Sequence, residues 1–285
     1  GNEMRIRQFC AIVALAALSG GCVAVAEADG AQLRSGVNDI VITQQGGIRR
    51  QVLIELPQKI SKGGHPVVIG MHGAGGPVVA YNRRLKPFVN QYGLISVSPL
   101  ATETKTGVTA WSFRADAKTN ADDVGLMKDI IALLDTQGLV DHARIYATGS
   151  SSGGLMAYRL ARETDLFAAI APTKCGMTIG GHEPLESTRP LSIMQVIGDA
   201  DKSYHGSSGK YPMYSAQQRM DIWSTFNKSE KPVFTDHGTW TSTHYDCANN
   251  KEIELMVLKG VGHSLGEWAP VTDKMLIQFL LKQRK

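Results

Sequence analysis

The chain has 285 residues, 43% hydrophobic and 20% charged, with 30 Lys+Arg against 26 Asp+Glu for a formal net charge of +4. That balance excludes a disordered chain, and the length allows one large α/β core or two small ones. Basic residues gather only in pairs such as Arg49-Arg50 and Arg83-Arg84, and aromatics are not interleaved with them, so no nucleic-acid partner is expected.

Residues 1–28 read as an upstream scar followed by a secretory leader. Arg5 and Arg7 precede the apolar run 10–18, which is too short to span a bilayer, so no transmembrane helix is expected. Two endings compete. Ala24-Val25-Ala26 and Ala26-Glu27-Ala28 both suit signal-peptidase cleavage, whereas residues 18–22 resemble a lipoprotein box in which Cys22 takes a lipid anchor. The expectation is a secreted or periplasmic protein, with a membrane-anchored lipoprotein as the alternative. Cleavage after Ala26 leaves Cys175 and Cys247, enough for one disulfide or for two separate buried thiols.

Beyond the leader, residues 39–43 and 49–56 are β-branched segments joined by Gln44-Gln45-Gly46-Gly47, a hairpin signal. Residues 66–71 form a continuous apolar run, as in a strand covered on both faces, and lead into His72-Gly73-Ala74-Gly75-Gly76. A helix-like stretch at 81–90 precedes another buried strand at 94–98. Residues 99–120 have no periodicity, and a loop of that length after a strand is more often functional than idle. Its Trp111 is a candidate substrate-lining residue or a simple loop anchor. Asp122 and Asp123 then open a helix with apolar Val124, Met127, Ile130, Ile131 and Leu134, and their carboxylates suit its N-terminus.

Residues 144–148 read as a strand and 155–160 as a helix, so Gly149-Ser150-Ser151-Ser152-Gly153 is a strand-to-helix turn of the form G-x-S-x-G with Ser151 at its centre. Further strands are expected at 166–172, 191–197 and 252–258, helices at 216–226 and 271–281, and a polar loop through Asn250. Strands alternating with helices and no linker-like boundary imply a mostly parallel central sheet with helices on both faces, in one catalytic domain spanning 29–285.

Three polar groups follow three of these strands: Ser151, an aspartate of the Gly198 turn (Asp199 or Asp201), and His263 between Gly262 and Ser264. The carboxyl ends of parallel strands converge on one edge, so distant positions meet there. A serine hydroxyl needs an imidazole to take its proton, and the imidazole needs a carboxylate to hold its tautomer. The amide of Ser152 and one from the His72 loop, Ala74, are the candidate oxyanion donors. His72 itself reads as structural. The eight histidines show no metal-ligand spacing, and neither a metal nor another cofactor is implied.

The segments 71–76, 122–125, 148–159, 166–172, 197–201 and 260–263 together resemble the secreted polyhydroxybutyrate depolymerase and feruloyl esterase group of α/β-hydrolases. The resemblance implies Ser151 as nucleophile, Asp201 as acid and His263 as base. It also implies an α/β-hydrolase fold and an ester substrate, possibly polymeric: a hydroxyalkanoate oligomer, or a feruloyl or acetyl ester of plant polysaccharide. A peptidase on the same fold and a non-catalytic carbohydrate- or polymer-binding protein are the competing expectations.

Overall fold

The computed structural model describes residues 25–117 and 121–285, so Cys10, Cys22 and most of the expected leader lie outside the described residues. The chain opens with β1 (Ala26–Glu27), β2 (Gly36–Gln44), β3 (Ile48–Leu56) and β4 (His65–Met71), followed by α1 (Val79–Tyr92) and β5 (Ile95–Pro99). Two short strands, β6 (Thr102–Glu103) and β7 (Thr109–Ala110), pair within the next loop. After α2 (Asp123–Thr136) come β8 (Val140–Ser150), α3 (Ser152–Glu163), β9 (Ala169–Thr173) and β10 (Met177–Thr178). The remainder runs β11 (Ser192–Gly198), β12 (Met213–Tyr214), α4 (Ala216–Phe226), β13 (Val233–Asp236), β14 (Trp240–Asp246), β15 (Glu252–Leu258) and α5 (Trp268–Leu281).

Eleven strands form one sheet in the order β1-β2-β3-β5-β4-β8-β9-β11-β15-β14-β13. Its middle, from β5 to β15, is parallel throughout, flanked by β3 antiparallel to β5 on one side and β14 antiparallel to β15 on the other. All seven residues of β4 and of β11 are buried, which is why these strands are apolar runs without alternation. Side chains on the two faces enter different cores. Ile69, Ile145, Ile170 and Ile193 meet α2, α3 and α4 on one face; Val68, Tyr146, Ala169 and Met194 meet α1 and α5 on the other. This is the α/β-hydrolase architecture expected from the sequence.

The segment expected as a polar loop before Asn250 instead carries the β13/β14 hairpin, which extends the sheet beyond β15. Every residue of β13 is exposed, and only Ser242 and Tyr245 of β14 are buried. A strand with no core face has no apolar alternation to betray it. Strand β9 starts at Ala169 rather than at 166, since Leu166 and Phe167 pack into the core as irregular chain. Helix α5 begins at Trp268, earlier than expected, because Pro270 falls in the first turn, where its missing N–H would have no intrahelical partner.

Asp122 caps α2 as expected, accepting from the Gly125 amide at 2.8 Å. Asp123 does something the sequence did not reveal. Fully buried, it accepts from Arg50 at 2.6 Å through Oδ1 and from the Ser112 amide and hydroxyl, both at 2.7 Å, through Oδ2. Arg50, 1% exposed, also donates to the Gln44 side chain and the Leu100 carbonyl. A buried guanidinium left without its carboxylate keeps its desolvation cost and loses its compensation. Asp123→Asn is therefore expected to lower unfolding free energy by about 3–5 kcal/mol, read from urea midpoints. A loss no larger than that of a surface substitution would show that the pair is not what holds the Ser112 loop.

Candidate functional site

Ser151 sits where β8 turns into α3, with φ 54° and ψ −113°, a conformation rare for a residue with a side chain. Its amide donates to the Thr173 carbonyl at 2.9 Å, which ties the turn to β9. The flanking glycines are required by contact. A Cβ on Gly149 would overlap the Gly153 carbonyl, one on Gly153 the Met71 carbonyl, and one on Gly154 would press on Cys175 and the Thr173 carbonyl. The reversal therefore closes only with hydrogen at these positions, and the serine is left at the sheet's edge, half-buried, with no hydrogen bond from its hydroxyl to a described residue.

Two more turns meet beside it. The β11 and β15 ends lie against each other through Asp199 N–H to the Leu258 carbonyl (3.1 Å) and Ala200 N–H to the Val261 carbonyl (3.0 Å), and a side chain at Gly198 would collide with Val261. Of the two candidate aspartates, Asp199 accepts from the Gly260 amide at 2.7 Å and so braces the neighbouring turn. Asp201 is 3% exposed and accepts from His263 Nδ1 at 2.8 Å through Oδ2, and from the Ser203 amide and hydroxyl at 2.9 and 2.8 Å through Oδ1. Burial pushes its pKa up, but the Ser203 and His263 donors outweigh it and hold the carboxyl below its ordinary value. With Nδ1–H committed to Asp201, the neutral ring presents Nε2 as a lone pair. His263 itself is exposed, and no hydrogen bond joins it to Ser151; such bonds are often long in a site without substrate.

His72 is buried and structural. Its Nδ1 donates to the Gly73 carbonyl at 2.6 Å and its Nε2 accepts from the Ala101 amide at 3.0 Å, while burial lowers its pKa and favours the neutral ring. Gly76 N–H to the Gly73 carbonyl closes a turn over Ala74 and Gly75, and Gly75 has φ 73°. Ala74 is exposed there, and its amide has no partner among the described residues. The Ser152 amide, at the first position of α3, has no intrahelical acceptor either. Trp111 is placed as an anchor: 3% exposed, it donates through Nε1 to the His72 carbonyl at 2.8 Å and lies outside the lining of the cavity at Ser151.

That cavity has a volume of about 500 Å³. Ser151, Asp201 and His263 line it together with Leu155, Lys174, Cys175 and Met213. The β10/β12 pairing joins the segments on either side, and Arg219, fully buried, donates to the Ser203 and Tyr214 carbonyls at 3.1 and 3.0 Å, tying the Asp201 turn to β12. Sequence reasoning missed Arg219, Lys174 and Met213, none of which sits in a recognisable motif. Cys175 is a free thiol, pushed up to about 12 by burial, and Cys247 is a second, separate free thiol. The open choice between a disulfide and two thiols is thus decided for the thiols.

The sequence profile of the prolyl oligopeptidase family matches residues 106–269, more than half of the 285. The chain belongs to that family. Feruloyl esterase B of Talaromyces funiculosus is 26% identical over 189 residues, which cover 61% of this chain and 51% of that protein. The chain thus spans about half the length of that relative. Probable feruloyl esterase C of Aspergillus clavatus is 26% identical over 238 residues, covering 80% of this chain and 83% of that protein. Among solved structures, acetyl xylan esterase from Aspergillus awamori superposes with a TM-score of 0.65 at 14% identity, over 86% of this chain and 99% of that one. The poly(3-hydroxybutyrate) depolymerase from Bordetella parapertussis does so at 0.57 and 15%, over 87% and 91%. At these identities the superpositions speak to fold. Of the two groups named in the resemblance, feruloyl esterases recur among the sequence relatives and a depolymerase among the structures that share the fold.

His182 lies outside the lining of the cavity and joins the segment after β10 to the Phe113 segment. It is fully buried, donates from Nε2 to the Phe113 carbonyl at 2.6 Å and accepts from the Thr178 amide at Nδ1 at 3.0 Å. Burial lowers its pKa to about 4, from an ordinary 6.5. The unfolded chain therefore binds a proton that the folded one refuses between those values, and stability is complete above pH 6.5 and falls as pH drops toward 4. At ~1.4 kcal/mol per pH unit for one proton, urea midpoints should fall over that window, and His182→Gln should flatten the fall. Parallel pH profiles for the two proteins would show that His182 is not the group responsible.

Proposed function

We propose that the chain is a serine carboxylic-ester hydrolase that works through an acyl-enzyme, with residues 29–285 as its catalytic unit. One observation carries the reading: an imidazole bonded at Nδ1 to a buried carboxylate lines the same cavity as a serine held on a strained strand-to-helix turn. In this reading His263 Nε2 takes the Ser151 proton as Oγ attacks the carbonyl, and Asp201 holds the tautomer and stabilises the imidazolium that forms. The amides of Ala74 and Ser152 receive the oxyanion, then the imidazolium returns its proton to the departing alcohol. Water repeats the cycle on the acyl-enzyme. The feruloyl esterases among its relatives support a feruloyl or acetyl ester of plant polysaccharide as substrate, and the depolymerase resemblance a hydroxyalkanoate oligomer. Export through the N-terminal leader belongs to the same reading; no helix among the described residues is long and apolar enough to cross a membrane.

The family profile favours a second reading, peptide-bond hydrolysis by the same residues. Specificity constants for p-nitrophenyl acetate, methyl ferulate, hydroxybutyrate oligomers and a peptide p-nitroanilide separate the two: the esters should be cleaved and the anilide left, and the reverse order would replace the esterase reading.

Ser151→Ala is expected to abolish ester turnover, leaving only what binding and the oxyanion donors supply. Asp201→Asn should lose about 10⁴-fold in kcat with its melting temperature little changed, by analogy with the protease aspartate that is the principle's own example. Asp199→Ala removes only the bond to Gly260 and should cost about 1 kcal/mol of stability while keeping most activity. An active Asp201→Asn beside a folded, inactive Asp199→Ala would move the acid to the other carboxylate.

A further inference from the structure

Lys174 follows β9 with φ 53°, one of five residues other than glycine with positive φ among the described residues. The strain is held in place by its amide, which donates to the Val196 carbonyl at 2.9 Å, and by its neighbour Cys175, packed beneath Gly154. Such conformations cluster at functional sites, and of the five only Ser151 and Lys174 line the cavity.

The charges around it are already spent. Arg84 pairs with Asp273 through two hydrogen bonds, at 3.0 Å and 2.5 Å. Asp201 is shared between His263 and the two Ser203 donors. The Lys174 ammonium feels Arg84, Asp201 and Asp273 but has no hydrogen bond or ion pair among the described residues, and burial and Arg84 together lower its pKa. Lys202, exposed and without a hydrogen bond or ion pair among the described residues, also lines the cavity and adds a second positive charge. A half-buried ammonium without an acceptor is unfavourable by itself and becomes favourable when an anion enters. The cavity thus holds two lysines against one carboxylate that is fully engaged.

We infer that the site takes esters that carry a carboxylate besides the scissile bond, and that Lys174 binds this carboxylate. The inference rests on the esterase reading and narrows it. An oligomer of a hydroxy acid has this chemistry, since every ester cleavage within it leaves a chain that ends in a carboxylate.

The test compares two compounds that differ in one charge: the linear dimer of 3-hydroxybutyric acid with its terminal carboxylate free, and the same dimer as its terminal primary amide. Each is assayed as a substrate and as a competitor of p-nitrophenyl acetate. The wild type should favour the acid by about tenfold to a hundredfold, as a charge-assisted hydrogen bond allows, and the preference should shrink as salt rises. Lys174→Met should bring the acid-to-amide ratio near one, and Lys174→Arg should restore part of it. A wild-type ratio of one, failure of both dimers to react or compete, or an unchanged ratio in Lys174→Met would each overturn the assignment. So would equal losses on acid and amide in Lys174→Met, which would make Lys174 a counter-charge to Asp201. If p-nitrophenyl acetate and methyl ferulate are not hydrolysed either, the esterase reading itself falls, whereas their turnover with a dimer ratio of one overturns the Lys174 assignment alone.

Discussion

Between Gly149 and Gly154 a strand becomes a helix with no residue to spare, and three separate backbones share the space that side chains would otherwise take. The β8 end, the first turn of α3 and the β4 end at Met71 and His72 approach until only glycine fits at 149 and 153. Ser151 occupies its unusual backbone conformation because the hydrogen bond from its amide to the Thr173 carbonyl and the helix starting at Ser152 leave no other route. The strain, of order 1–3 kcal/mol for such a residue, is supported by a core in which β4, β9 and the stretch of β8 from Ile145 to Ser150 are buried. The position of Ser151 is thus a property of the middle of the sheet rather than of a loop.

The other two turns are secured in a different currency, hydrogen bonds between loops. Gly198 lets the β11 turn lie on Val261, and Asp199 then holds Gly260 so that His263 emerges at one place and height. Asp201 receives three donors, two from Ser203 and one from His263, and the Ser203 carbonyl is in turn held by the buried Arg219 of α4. A carboxylate with that many donors stays ionised despite its burial. An ionised carboxylate opposite Nδ1 is what keeps Nε2 free.

A third line of support begins farther away. The buried Arg50–Asp123 pair fixes Ser112, the preceding residue is the anchored Trp111, and its indole holds the His72 carbonyl just before the Gly73–Gly76 turn. The charge pair therefore acts on the candidate oxyanion loop through two side chains and no direct contact. Lys174 stands apart from all three supports, as a strained residue with an unspent charge.

The local features were readable in the chain itself. Buried runs at β4 and β11, the hairpin at β2 and β3, and glycines flanking Ser151 follow from steric and burial rules that act over a few residues. So does the order of Ser151, an aspartate of the Gly198 turn and His263 at strand ends, because parallel strands bring their carboxyl ends to one edge. What only the tertiary structure decided is which partners those residues meet. Arg50 and Asp123 are 73 positions apart, and neither carries a sign of burial, since a charged residue is buried only when its partner arrives from elsewhere. The exposed β13 strand has no apolar face to announce it. Trp111 could as well have faced a substrate as the core, and the choice fell to the carbonyl of His72, 39 positions earlier. Lys174 gained its place at the cavity from the packing of β9 between β8 and β11, a long-range pairing that no short stretch of sequence encodes.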